Sequence, residues 1–263
     1  MQSHVSKTHV QERLDNIRRI EKLERGSFVL GHQLTSDQLD ARILNYPTIT
    51  VPERKTTLNT SPVGIDRAIL FDDGAYNNRD IQLILGFEGK QADSNIQKFL
   101  SVLDTGKYID FQMYSDPDYT YQVVRQSTGT IARPTYSDSY RELTITLSSA
   151  PFRYVTPAQT ATITINASTL VNPTHYVAKP YIKIVGDGAI TLTVNDIDYN
   201  FTNVTGSIEL DSAMQNVWRV NGGVMVNENA KMAIGPFPTL KPGRNIIKLS
   251  AGTATIEPRW RTL

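Results

Sequence analysis

The sequence predicts a mainly β chain, an α+β part first and an all-β sandwich after it. Three observations predict this. Residues 94–104 carry a clear helical period, with Ile96, Phe99, Leu100 and Leu103 at i, i+3, i+4 and i+7. Apolar and polar residues alternate on both sides of that helix, as in Ile81, Leu83, Leu85 and in Leu143, Ile145, Leu147, which is the period of a strand with one buried face. Beyond residue 155, short β-prone runs are broken by Gly, Asn or Asp at intervals of about 8–12 residues, the spacing of a sandwich.

The elements follow in order. Val10, Leu14, Ile17 and Ile20 recur at spacings of four, three and three inside ERLDNIRRIEKLER, which predicts a helix over 10–24 that Gly26 stops. One narrow apolar stripe on so charged a helix needs a surface, either its own domain or a neighbouring subunit. Interleaved acids argue against a membrane-surface helix. SFVLGHQL and RILNYPTITVPERK read as extended, the second punctuated by Pro47 and Pro52. DIQLILGFEG is a strand, and the helix at 94–104 follows with Asp93 or Ser94 as its expected N-cap and Gly106 as its stop. KYIDFQMYSDPDYTYQVV is a hairpin around Asp116, Pro117 and Asp118. YRELTITLSSAPFRY closes the first part, and Pro151 and Pro157 mark a boundary at 155/156. In the second part VNDIDY and LSAGTAT read as tight hairpins. Its core is expected around Ile163, Ile182, Ile184, Leu192, Val194, Trp218 and Ile247.

Composition narrows the chemistry. The 263 residues hold 27 Lys and Arg against 26 Asp and Glu. That balance argues against phosphate-driven nucleic-acid binding, which needs a concentrated basic surface. The absence of cysteine excludes disulfides, thiolate metal sites and cysteine nucleophiles. His4, His9, His32 and His175 show no zinc-ligand spacing. No apolar run is long enough to span a membrane, and residues 1–25 lack the apolar core of a secretory signal, so a cytoplasmic origin is expected. The triplets at Asn59, Asn166, Asn200 and Asn203 are then ordinary polar loop and strand residues.

The best catalytic candidates are Asp72 and Asp73 in FDDGAY and Asp116 and Asp118 in SDPDYTY. Paired acids could serve glycoside hydrolysis or hold calcium. The same strings are also what turns are made of, because Asp accepts from nearby backbone N–H groups and Pro pre-sets φ. DDGAYNNRD lacks the distant Glu of a calcium loop. His175 has no nearby partner that would make a triad legible, and no nucleophile elbow, Walker A motif or GxGxxG is present. Tyr108, Tyr114, Tyr119, Tyr121, Tyr136 and Tyr140 crowd one stretch and suit half-buried sheets and protein interfaces equally. Trp218 and Trp260 either stack on a sugar or fill a core. No catalytic, cofactor-binding or metal residue is assigned.

A resemblance adds to this reading. VPERK (51–55), DDGAYNNRDIQL (72–83), NIQKFL (95–100), DPDYTYQVV (116–124), LSSAPFRY (147–154), IELDSAMQNVW (208–218), GPFPTLKPGRNIIKLS (235–250) and PRWRTL (258–263) stand in one order. Together they resemble the distal tail protein (Dit) family of siphophages, the long-tailed, non-contractile phages, that infect Gram-positive bacteria, from Ser27 to Leu263. Phage and prophage versions would look alike. The resemblance implies a β-rich ring-forming domain with one helix (27–155) and a galectin-like β-sandwich (156–263). Residues 1–26 precede the usual start and form an N-terminal helical extension.

It also implies a structural protein and no enzyme. Six copies would form a homo-hexameric ring at the tail tip, or baseplate. The ring would join the major tail tube protein to the tail-associated lysin or fibre protein and anchor receptor-binding or baseplate proteins. It would enclose DNA passage without specific nucleic-acid binding, insert in no membrane and need no cofactor. The protein would be made in the host bacterial cytoplasm and end in the virion. Sugar binding does not transfer with the galectin-like label, because no spaced His, Asn, Arg, Trp and Glu set surrounds Trp218. No inserted carbohydrate-binding domain fits in the 108 residues after the boundary. A host-glycan-binding module of the same tail tip is the alternative.

Overall fold

A computed structural model describes residues 23–31, 33–60, 63–64, 66–233 and 235–263. The helix expected at 10–24 lies outside them, except for Leu23 and Glu24, which are irregular. His4, His9 and His32 also lie outside. Among the described residues the structure is mostly strand with one α-helix, as the sequence predicts. It divides into two compact units. One ends at Arg153 and takes in Leu263, and the other is Tyr154–Thr262.

The first unit contains β1 (Phe28–Leu30), β2 (Leu34–Thr35), β3 (Ala41–Ile43), β4 (Thr48–Ile49), β5 (Arg54–Asn59), β6 (Ile69–Tyr76), β7 (Arg79–Glu88), α1 (Ala92–Leu103), β8 (Ile109–Met113), β9 (Tyr119–Arg125), β10 (Thr130–Ala132) and β11 (Tyr140–Ser149). Its antiparallel sheet runs β2-β1-β8-β9-β11-β7-β3, with β4 beside β7 and β10 beside β11. Among the described residues β5 and β6 pair only with each other. The long ladder is β7 on β11, in unbroken register from Arg79↔Ser149 to Glu88↔Tyr140. That register sets Leu85 opposite Leu143, Leu83 opposite Ile145 and Ile81 opposite Leu147. All six are buried, because period-2 alternation puts them on one face.

Helix α1 covers this core with Ile96, Phe99 and Leu103. The Phe99 ring meets Phe28 at 5.8 Å and Phe87 at 6.2 Å, both edge-on. It begins at Ala92, earlier than the sequence predicts, and its N-cap Gln91 makes no side-chain capping bond. Asp93 therefore sits within the first turn, where the helix dipole favours a carboxylate. There it binds Arg141 at 3.1 Å and Arg133 at 3.2 Å. Asn95 Nδ2 donates to the Leu39 carbonyl at 2.8 Å and ties the helix to the 3-10 turn at Asp37–Leu39. Gly106, at φ +69°, lies past the end as expected.

In the second unit β12 (Arg153–Val155) spans the junction. The rest are β13 (Ala161–Ile163), β14 (Ser168–Asn172), β15 (Tyr181–Val185), β16 (Gly188–Val194), β17 (Ile197–Val204), β18 (Ser207–Asp211), β19 (Asn216–Asn221), β20 (Val224–Asn227), β21 (Gly243–Leu249), β22 (Thr253–Glu257) and β23 (Arg261–Thr262). One antiparallel sheet runs β13-β22-β15-β18-β19-β20 and the other β14-β21-β16-β17. Both contribute to one core, with Ile182, Ile184, Ile208 and Leu210 from the first and Leu192, Val194, Ile247 and Leu249 from the second. The turn of VNDIDY is the expected hairpin. Asn195 and Asp196 take φ of 50° and 67°, and β16 pairs with β17 across them.

Two expectations need correction here. Trp218 is buried, at 9% exposure, but lies outside the main cluster of the sandwich core. It pairs with Glu209 across β18–β19, while its neighbour Val217 pairs with Leu210 on the core side. Trp218 instead lies against Tyr181 at 6.0 Å, and Trp260 is the indole inside the core. LSAGTAT is not a hairpin either. β21 pairs with β14 and β16, whereas β22 pairs with β13 and β15, so these residues cross from one sheet to the other. Gly252 makes the crossing possible. It has φ +77°, and a Cβ there would collide with the Val185 carbonyl oxygen. Gly252→Ala should therefore destabilise the protein by at least about 2 kcal/mol, through left-handed strain plus a backbone clash, in a denaturant titration.

Candidate functional site

The acids singled out from sequence brace a strand irregularity, a hairpin turn and ion pairs, with Asp72 and Asp73 inside β6 where its register with β5 shifts. Asp72 Oδ1 accepts from the Gly74 N–H at 2.9 Å, and Asp73 Oδ1 from the Ala75 N–H at 2.9 Å. Asp72 also receives Arg54 Nε of β5 at 2.8 Å, and this hydrogen bond holds its carboxyl below the usual range. Asp116 Oδ2 accepts both the Tyr121 hydroxyl, at 2.5 Å, and Arg153 Nη1, at 2.6 Å. Arg153 lies over the Tyr119 ring at 4.4 Å. Asp118 and His175 are exposed. Among the described residues no three His, Asp or Glu side chains gather as a metal site. What the arrangement of acids does chemically is close backbone turns and anchor cations.

A second acid pair was missed from sequence. Glu209 and Asp211 lie buried on the outer face of β18. Glu209 takes the Tyr181 hydroxyl at 2.8 Å and Lys183 at 3.3 Å, and Asp211 takes Arg259 at 2.7 Å. Burial and the Glu209 bond both push the Tyr181 phenol up. The alternation in SIELD places both acids on one face, which is a usable signal. The partners arrive from β15 and from residue 259, which sequence spacing does not reveal. Trp218 closes over this cluster at 9% exposure and Trp260 is 3% exposed, so both indoles are covered.

Two clusters of exposed apolar residues stand on β-hairpins. In β5–β6, Leu58 faces Leu70, Thr57 faces Phe71 and Asn59 faces Ile69. Successive pairs point to opposite faces, so Leu58 and Leu70 share one face and Ile69 and Phe71 the other. Leu58, Leu70 and Phe71 are 57–59% exposed. A shallow groove of about 490 Å³ runs beside Phe71, lined also by Lys55, Thr56, Thr57, Asp72, Asp73 and Asn77. The ribbon's base is clamped by Arg54, which binds Asp72 and the Tyr76 hydroxyl, and by Tyr76 edge-on to Phe152 at 5.6 Å. The second ribbon is β19–β20, where Val224 and Met225 are 64% and 62% exposed. β5–β6 is an isolated two-stranded ribbon, which is marginal in water, whereas β19 is also paired with β18; in both, clustered exposed apolar residues mark interaction sites. The run Ile69-Leu70-Phe71 carries this signal in the sequence, but its exposure depends on β5 and β6 having no other strand partner.

No family model and no curated protein matches the chain. A solved structure does: the crystal structure of SPP1 Dit (gp 19.1) superposes with a TM-score of 0.61. The match covers 88% of this chain and 96% of that one, at 13% sequence identity. The chain has a Dit fold. The resemblance to Dit proteins carried by the sequence phrases thus extends to three dimensions. The SPP1 Dit protein is described as a paradigm of the hub adsorption apparatus in phages that infect Gram-positive bacteria.

The Asp116 network sets a pH dependence. Tyr121 is fully buried, and desolvation, then its bond to Asp116, pushes its phenol from 10.0 up to about 12. Its proton is held more tightly in the folded state. The stability this contributes is complete below pH 10, the unfolded value, and is lost as pH rises to about 12. Unfolding titrations across that window should show a smaller loss in Tyr121→Phe than in the parent protein.

Proposed function

We propose that this protein is a structural hub at the tip of a siphophage tail. The shared Dit fold, spanning nearly all of both chains, is the observation that carries the reading. Six copies form a ring that joins the tail tube protein to the tail-associated lysin or fibre protein. Residues 27–155 form the ring, 156–263 form the sandwich that holds receptor-binding or baseplate proteins, and 1–26 form an N-terminal helical extension. The protein catalyses nothing, works in the virion and is made in the bacterial cytoplasm.

A closed cyclic ring needs a heterologous contact, two different surfaces of one subunit meeting. The β5–β6 ribbon is suited to one half of that contact, since it exposes apolar residues on both faces. Residues 26–155 carry 15 acids against 12 bases. A mildly acidic lining avoids trapping the DNA that must pass through.

The double variant Leu70→Asp, Phe71→Asp tests the contact. Both side chains are exposed, so the monomer should stay within about 0.5 kcal/mol of the parent in stability. Rings should disappear from electron micrographs, and light scattering should show only monomer. Rings that persist unchanged in the variant, or a parent protein that never forms rings in recombinant tails, would remove this proposal.

A further inference from the structure

The sheet of the sandwich unit ends on β20, and we propose that this edge receives an extended segment of another tail-tip protein as an added strand. The choice of occupant rests on the ring reading above. The edge itself does not.

β19 and β20 are joined by Gly222 and Gly223, both at positive φ, 57° and 82°. Asn221 pairs with Val224, Val220 with Met225 and Arg219 with Val226. In a two-residue hairpin the pair next to the turn exchanges main-chain bonds, the next pair does not, and the third does again. The N–H and C=O of Met225 therefore point away from β19. β20 has β19 as its only strand partner among the described residues, so these groups face an open edge.

Open edges are normally blunted by charge, proline or a bulge. β17, an edge of the other sheet, carries Asp198 and a register shift between Gly188 and Ile190. β20 has none of these devices. From Val220 to Asn227 there is no charge and no proline, and the register is unbroken. Val220 and Met225 share one face, and Val224 and Val226 the other. All four are exposed.

The charges that flank this seat are already paired. Glu228 binds Arg219 at 3.2 Å and Lys231 at 3.0 Å. A complementary occupant is therefore an uncharged extended segment with β-branched or apolar side chains at alternate positions. Main-chain bonds give such strand addition its affinity, and alternate side chains its specificity. A second copy of β20 fits the chemistry, but antiparallel self-pairing needs subunits related by a half turn. Neighbours in a six-fold ring are related by a sixth of a turn. The edge stays open within the ring and serves a different protein.

The test titrates the full chain with a fluorescent peptide of repeated Thr-Val and, in parallel, one of repeated Lys-Glu. Amide exchange is followed by mass spectrometry. The Thr-Val peptide should bind saturably and slow exchange at 223–227, and the charged peptide should not. Met225→Pro removes only the outward N–H and spares the bonds of Val224 and Val226 to β19. It should weaken binding about five- to ten-fold, the worth of one main-chain bond, while Met225→Thr binds like the parent.

Equal binding of both peptides, undiminished binding by Met225→Pro, or no slowing at 223–227 would overturn the proposal. So would slow exchange of the outward Met225 amide before peptide is added, because a copy of the chain would already cover the edge. Micrographs score the ring separately. Peptide binding without rings rejects the ring reading, and rings without binding reject this one.

Discussion

The ladder between β7 and β11 is the constraint on which the first unit depends. A slip of one residue would turn Ile81, Leu83 and Leu85 out to solvent and bring Gln82 and Ile84 in. Ten consecutive pairs hold the register. Every other part of the sheet is referred to these strands, since β3 and β4 pair with β7, and β9 and β10 with β11. The same face receives α1, where burying a side chain such as Phe99 contributes about 1.5–3 kcal/mol.

Charge in this protein is used to fasten. The Asp116 carboxylate joins the turn of the β8–β9 hairpin to Tyr121 and Arg153. Glu209 and Asp211 join β18 to Tyr181, Lys183 and Arg259. The half-buried Asp116 and the buried Glu209 and Asp211 are tolerated because each has a cation and, for Asp116 and Glu209, a phenol. Removing one partner would strand a charge away from water. Carboxylates engaged in this way are poorly placed to move protons for a substrate.

Apolar surface is distributed in the opposite sense. The two cores are closed, yet among the described residues each unit exposes aliphatic residues on both faces of a hairpin, the β5–β6 ribbon in the first and the outer end of β19–β20, beyond its pairing with β18, in the second. A ribbon cannot shelter both of its own faces, so such residues find cover only against another chain. This distribution of surface is what the proposed assembly role requires.

The strands of the ladder, the α1 core stripe, the β8–β9 hairpin and the Asn195-Asp196 turn were legible from residues alone. Each depends on a short-range signal: period 2, period 3.6, or a residue suited to positive φ. The local backbone bonds of Asp72 and Asp73 were legible for the same reason, but their place inside β6, at a break in its register with β5, was not. The start of α1 was not, because Asp93 is claimed by Arg141 and Arg133 from distant positions instead of capping. The place of Trp218 outside the core follows from its register against Glu209, and alternation alone does not say which face of a strand is covered. LSAGTAT has the local pattern of a hairpin. Only the stacking of two sheets, with Gly252 against Val185, decides that the chain crosses between them. Local periodicity determined which segments are strand or helix. Which strands meet, and which edges and ribbons are left open, was decided by long-range pairing that no window of sequence contains.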